Sequence, residues 1–136
     1  VGDDTHGHVD DIARFVKSNK VFLAYEDNKK DKNFKNLDEN FKILKKIKNG
    51  SSQIKITKIP MPRPIYINKV RVPASYLNFY ILNKFILLPT FNDPKDKKVI
   101  KIFKKEFNNR EIIPIDCSEL IWGFGAIHCL TQQEPK

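Results

Sequence analysis

The chain repeats itself. Phe15-Val16-Lys17-Ser18-Asn19-Lys20-Val21-Phe22-Leu23 aligns with Phe79-Tyr80-Ile81-Leu82-Asn83-Lys84-Phe85-Ile86-Leu87, each an apolar run, an Asn-Lys turn and a second apolar run. Two apolar runs joined by so short a polar turn read as a β-hairpin. The segment after each hairpin is repeated as well. After the first, residues 27–48 read as an amphipathic helix with Phe34, Leu37, Phe41, Leu44 and Ile47 on its buried stripe. Asn49-Gly50 is a helix stop signal, and Ile54-Lys55-Ile56-Thr57 alternates as a strand does. After the second, Asp93-Pro94 reads as an N-cap with Pro at the first helical position. Val99, Phe103 and Phe107 mark that helix's inner face, and residues 111–115 form a short apolar strand.

The order is therefore ββαβ, ββαβ, an α/β chain of the α+β kind, with a glycine-containing tail. The connection over residues 60–73 holds Pro60, Pro62, Pro64 and Pro73 and is expected to be extended. Internal repetition at this size points to a toroidal or propeller-like array, and two units cannot close a ring. The chain is accordingly expected to be part of a longer protein, and its start on Val1, with Met61 as the sole methionine, agrees.

Composition narrows the classes further. Of the 136 residues, 40% are hydrophobic, enough to build a core and too many for a disordered polar tail. The net charge of +9 invites a nucleic-acid partner, but the lysines concentrate in the two helical segments, where a solvated face is the simpler reading. No helix-turn-helix, zinc finger or aromatic-interleaved RNA motif is present, so no specific nucleic acid is expected. The longest apolar runs, such as Phe85-Ile86-Leu87-Leu88, are far too short to span a bilayer. A Lys-rich chain without a visible secretory leader is expected in the cytoplasm, and Cys117 and Cys129 are then reduced thiols rather than a disulfide scaffold.

The chemistry-bearing groups sit at the two ends, in Gly2-Asp3-Asp4-Thr5-His6-Gly7-His8-Val9-Asp10-Asp11 and in Trp122-Gly123-Phe124-Gly125-Ala126-Ile127-His128-Cys129-Leu130-Thr131-Gln132-Gln133-Glu134-Pro135. Asp4, His6, His8 and Asp10 offer metal ligands, but no second His or Cys cluster stands at zinc-finger spacing, and no metal or cofactor is expected. His8 and Asp10 lie at the mouth of the first hairpin. Cys129 lies where the hairpin after the second unit would begin. In a repeat array these are equivalent places, so they can converge on one pocket. A thiolate nucleophile, a His acid/base and an orienting carboxylate make a coherent catalytic set; a buried structural cysteine is the alternative. Cys117 and His128 read as packing residues. Trp122 either caps a pocket or closes the core.

Gly7-His8-Val9-Asp10 near the start, Ile127-His128-Cys129-Leu130-Thr131-Gln132-Gln133-Glu134-Pro135 near the end, and the middle stretch from Pro73-Ala74-Ser75-Tyr76-Leu77-Asn78-Phe79-Tyr80 to Pro89-Thr90-Phe91-Asn92-Asp93-Pro94 resemble agmatine deiminase and the related Porphyromonas-type peptidylarginine deiminases. The likeness runs in order along essentially the whole chain. It implies a pentein fold, five ββαβ modules around a pseudo-fivefold axis. Residues 1–136 would be the C-terminal part of one such domain, with modules at about 8–60 and 74–115 and a Cys-bearing tail at 116–136. It implies Cys129 as nucleophile, His8 as general acid/base, and Asp10 and Asp4 as acidic contacts to a small cationic guanidine substrate. Agmatine would become N-carbamoylputrescine and ammonia through an amidino-cysteine intermediate. Free arginine or peptidyl arginine is the runner-up substrate. A further carboxylate from the family's N-terminal half has no counterpart here, so the chain alone is expected to be inactive. The faces left by absent modules would be apolar, which makes a homo-oligomer possible. The competing class is a non-catalytic module that binds a partner through its lysine faces.

Overall fold

The structure, a computed structural model, describes residues 7–134. A 3-10 turn (Val9–Asp11) leads into β1 (Ala13–Lys17), which pairs antiparallel with β2 (Lys20–Tyr25). Helix α1 (Phe34–Leu44) comes next, then a small hairpin of β3 (Lys48–Asn49) and β4 (Ser52–Gln53). The next strand, β5 (Lys55–Pro60), runs parallel to β2. A parallel neighbour needs a crossover, and α1 supplies it. A second small hairpin, β6 (Tyr66–Ile67) with β7 (Val70–Arg71), interrupts the connection. Then the pattern recurs. Strands β8 (Tyr80–Ile81) and β9 (Phe85–Thr90) form a hairpin, α2 (Asp96–Glu106) crosses over, and β10 (Glu111–Asp116) lies parallel to β9. The two three-stranded sheets, β1-β2-β5 and β8-β9-β10, are thus built alike.

Two local expectations are corrected. Asn49-Gly50 does not stop a helix. The helix ends at Leu44, and Gly50, at φ +60°, turns the β3–β4 hairpin instead. Asn49 is the last paired residue of β3, the loop is Gly50-Ser51, and glycine at its first position supplies the positive φ that so tight a hairpin needs. Ile47 therefore lies beyond α1 and is exposed, and only Leu37 of the expected stripe is fully buried. Secondly, the Pro-rich connection is not wholly extended. Asn68 and Lys69 adopt φ +48° and +66° at the tip of the β6–β7 hairpin, whereas in the first hairpin the loop is Ser18-Asn19 and Lys20, read as part of an Asn-Lys turn, already belongs to β2. The expected cap at Asp93 stands ahead of α2: its carboxylate accepts from the Lys95 N–H at 2.8 Å, the Asp96 carboxylate accepts from the Asp93 N–H at 3.1 Å in return, and the Asp93 carboxylate also binds the Arg63 backbone N–H at 2.8 Å and side chain at 3.1 Å.

The core joins the two units rather than filling each separately. Phe22 of β2 meets Phe79, Phe103 and Phe107 at ring-centroid distances of 5.0–6.4 Å, all tilted edge to face. Val99, Phe103 and Phe107, the expected inner face of α2, are all buried. Such aromatic pairs add stability beyond their area, about 1 kcal/mol each. No helix among the described residues is long and apolar enough to cross a membrane.

Glu106 is a second tie between the units. It is buried at the end of α2, where it binds Lys20 of β2 and Lys17 of β1, the latter at 3.0 Å. Burial opposes its ionisation, but the two lysines outweigh that and hold its carboxyl below the usual range. A depressed carboxyl stabilises the fold above the ordinary Glu pKa and ceases to do so as pH falls through its folded value. Both lysines keep some exposure, so the contribution is discounted for screening. Glu106→Gln is expected to lose about 1–2 kcal/mol in urea unfolding at pH 7 and less at pH 3. A loss equal at both pH values would refute the ion-pair account.

Candidate active site

Two segments come together where the units meet. One is the turn Val9–Asp11, carrying Asp10 and Asp11. The other is the run 72–80, buried throughout. They are stitched at several points. The Ser75 hydroxyl donates to the Asp11 carbonyl at 2.7 Å. Arg14 of β1 donates to the carbonyls of Leu77 and Phe79 at 3.1 and 3.0 Å and lies over the Phe79 ring at 4.6 Å. Burial lowers the Arg14 pKa, outweighing the pull of Asp10, Asp11 and Cys129 in the other direction.

Against this pair packs the loop after β10. Its 3-10 turn (Leu120–Gly123) is anchored by buried Ile121. Phe124 takes the left-handed conformation at φ +60°, which costs a non-glycine residue about 1 kcal/mol. Ala126 and Ile127 are buried, and the turn His128–Leu130 presents Cys129 at the surface. Trp122 is 62% exposed, so it does not close the core.

Asn78 lies at the junction and is fully buried. Its Nδ2 donates to Cys129 Sγ at 3.0 Å, to Asp10 Oδ2 at 3.1 Å and to Asp11 Oδ1 at 2.9 Å. Its Oδ1 accepts the backbone N–H groups of Ala126 and Cys129, each at 3.2 Å. Its carbonyl accepts from the His128 N–H at 3.0 Å. Asp10 Oδ2 is also 2.7 Å from His128 Nδ1 and 3.6 Å from Cys129 Sγ.

The charges settle the protonation states. Partial burial opposes ionisation of Asp10, but His128 and the Cys129 thiol prevail and hold its carboxyl below the usual range. An ionised Asp10 can only accept, so His128 Nδ1 carries the proton between them. Cys129 moves the other way. Partial desolvation and the charges of Asp10 and Asp11 push its thiol up, against the Asn78 hydrogen bond. In the ligand-free site the sulfur is a thiol that donates to Asp10. Cys117 is also pushed up, to about 11, by burial and by Asp116. It is wholly inside the core, as expected of a packing residue.

Of the residues singled out in the sequence, Asp10 and Cys129 meet. Asp4 and His6 lie outside the described residues. His8 is exposed at the start of the Val9–Asp11 turn, and among the described residues its side chain bonds neither Asp10 nor Cys129. The imidazole in contact with Asp10 is that of His128, which the sequence alone assigns to packing. Asn78 and Asp11 carry no mark as site residues in the sequence, although Asn78 stands inside the quoted middle stretch. Asp10, Asp11 and Cys129 are the described residues whose ligand atoms, within 4.8 Å of one another, could hold a metal. The same cluster fits a planar organic cation presented to a nucleophile.

Comparison with known proteins agrees with this geometry. The family model for Porphyromonas-type peptidyl-arginine deiminases matches residues 1–135. The chain belongs to this family. A Legionella pneumophila protein provisionally named agmatine deiminase is 38% identical over all of this chain and 40% of its own length. A solved structure of a Porphyromonas gingivalis protein, provisionally named arginine deiminase, superposes with a TM-score of 0.96 at 32% identity, over 99% of this chain and 40% of its own. The agmatine deiminase of Enterococcus faecalis superposes with a TM-score of 0.89 at 26% identity, over 97% of this chain and 41% of its own. The chain thus spans about two fifths of these deiminase-family proteins, and its two ββαβ units are of their pentein type.

Proposed function

We propose that this chain is the C-terminal part of a guanidine hydrolase, its two ββαβ units being the modules near residues 8–60 and 74–115 of one pentein domain and its tail, 116–136, carrying the nucleophile. The observation that carries the reading is a surface cysteine held by one buried amide against two carboxylates. A guanidinium placed over Cys129 is gripped by Asp10 through charge-assisted hydrogen bonds. The cation also offsets the charges that keep the thiol protonated, so substrate binding favours the thiolate. The sulfur then attacks the guanidinium carbon. A C–S bond forms, a C–N bond breaks, and ammonia leaves with a proton supplied by an imidazole. Water adds to the amidino carbon, the C–S bond breaks, and the ureido product departs. His8 is assigned the proton transfers and Asp4 a second acidic contact; His128 holds Asp10. Agmatine is the preferred substrate, by analogy with the named relatives, with free or peptidyl arginine as competitors. The location assigned is cytoplasmic.

Val9 and Leu130, the sequence neighbours of Asp10 and Cys129, are 68% and 66% exposed, and Trp122 of the loop after β10 is 62% exposed. Those apolar groups suit contact with the modules that the relatives possess upstream. The decisive assay is ammonia release from agmatine and from arginine, on this chain and on a version extended upstream to the length of the relatives, each beside Cys129→Ala. Turnover in the extended protein alone, abolished by Cys129→Ala, is the expected result. Turnover by the short chain would overturn its assignment as half a site, and no turnover in any version would overturn the hydrolase reading.

A further inference from the structure

We propose that Asn78 is the positioning residue of this site: its side-chain amide fixes Cys129 between Ala126 and Asp10 and supplies the hydrogen bond that receives the thiolate. The relevance to turnover rests on the hydrolase reading above, while the placement rests on the bonds alone.

A buried asparagine needs partners for two acceptor sites and two N–H bonds, or it costs the fold more than it returns. Asn78 has them all, and every one belongs to the site. Its Oδ1 takes both N–H groups of the turn that carries the nucleophile, at Ala126 and Cys129. That fixes the backbone from which Cβ and Sγ project. Its Nδ2 faces three acceptors with two hydrogens: Cys129 Sγ, Asp10 Oδ2 and Asp11 Oδ1. The donor is therefore shared, and with the amide plane fixed the share each acceptor takes follows its charge. With a thiol, the two carboxylates take most of it. When the sulfur ionises, its own bond to Asp10 is gone and the Nδ2 hydrogen already beside it bonds the thiolate more strongly.

The residue is itself immobilised. Arg14 grips the carbonyls on either side of it, at Leu77 and Phe79, and Ser75 ties the same run to the Asp11 carbonyl. An amide so held loses little entropy when it bonds a reacting atom, which is the requirement for a preorganised donor. The charged and titratable groups near the sulfur are Asp10 and Asp11 from the Val9–Asp11 turn, Arg14 from β1, and the neighbouring His128. Against two carboxylates, Asn78 is the neutral donor in direct contact with the thiolate.

The test reads the thiol rather than the product. Cys117 is buried, so alkylation by iodoacetamide reports Cys129. In Asn78→Ala the pH midpoint of alkylation is expected to rise by about one unit, which slows the reaction about tenfold at pH 8. A role confined to packing would lower the unfolding temperature and leave the midpoint within about 0.3 unit of the parent, and that result would overturn the proposal. Should the variant fail to fold, the unmutated chain decides. The Asn78 side-chain amide proton resonances should titrate with the Cys129 midpoint and stop doing so in Cys129→Ala. Resonances flat through that midpoint would overturn it equally. In the extended protein, Asn78→Ala should lower kcat at least tenfold with a smaller change in KM. Absence of guanidine hydrolysis from every version would remove the hydrolase reading and leave the thiol measurements to stand or fall by themselves.

Discussion

Asp10→Asn is expected to make Cys129 more reactive and the enzyme inactive. The two effects have one cause. Asp10 lies 3.6 Å from the sulfur, accepts the thiol proton, and through its charge helps push the thiol pKa up. Removing the charge lowers that pKa, so alkylation of Cys129 near pH 7.5 should speed up about three- to tenfold. The same charge is the group proposed to bind the guanidinium. An amide cannot form the paired charge-assisted bonds, and its NH2 group would point a donor at a cation. Loss of that grip, together with the His128 bond, is expected to lower kcat/KM for agmatine in the extended protein by about 10³-fold or more, equivalent to roughly 4 kcal/mol. Steady-state ammonia release and an alkylation time course on the same preparation measure both. Retained turnover would show that Asp10 does not hold the substrate. Slower alkylation would show that the sulfur is governed by something other than this carboxylate.

The repeat is the most legible feature of the sequence because it is written in two independent codes. Alternating apolar runs mark the hairpins, and the Val99, Phe103, Phe107 spacing marks a helix with a fully buried face. Where only one code is available, sequence and structure part. Asn49-Gly50 carries a turn signal that serves a helix end and a hairpin equally well, and only the short-range pairing of Lys48 with Gln53 chooses between them. The first helix is shorter than its spacing suggests for the same reason: Ile47 keeps the helical period but belongs to the chain leaving it. The meeting of Asp10 with Cys129 is accessible from the repeat, since equivalent positions of successive units fall at one end of the array. Asn78 is not. A single polar residue in an apolar run looks like an interruption, and nothing local reveals that its partners stand 67 and 51 positions away in sequence. His128 is hidden by a related cause. Its neighbour in space is Asp10, 118 positions distant, while its sequence neighbours give no sign of a carboxylate.

Of two glycines in the site loop, only one should respond to substitution by alanine. A Cβ built on Gly125 would stand 2.7 Å from Cys129 Cβ and 3.2 Å from its sulfur, whereas one on Gly123 would meet nothing within 4 Å. The first separation is shorter than carbon atoms tolerate, so in Gly125→Ala one side must move. A Cβ moves only with its backbone, so relieving this approach shifts the turn that carries Cys129 against the bonds that hold its N–H and that of Ala126 on Asn78 Oδ1. Overpacking of this kind costs about 1–3 kcal/mol in stability. Its larger effect falls on the reaction, since displacing a nucleophile by about 1 Å can cost 10²-fold. Asp10 and Asp11 stay in place, so agmatine should still bind. The expected result for Gly125→Ala in the extended protein is a kcat about 10²-fold lower with KM within a few-fold of the parent, while Gly123→Ala stays close to the parent in both. Equal behaviour of the two variants would mean that the loop tolerates bulk beside the sulfur, and that the close approach at Gly125 is not what sets the position of Cys129. Unequal behaviour would separate the geometry of the nucleophile from the general stability of a loop that both variants share, because only one of the two added methyl groups touches the reacting residue.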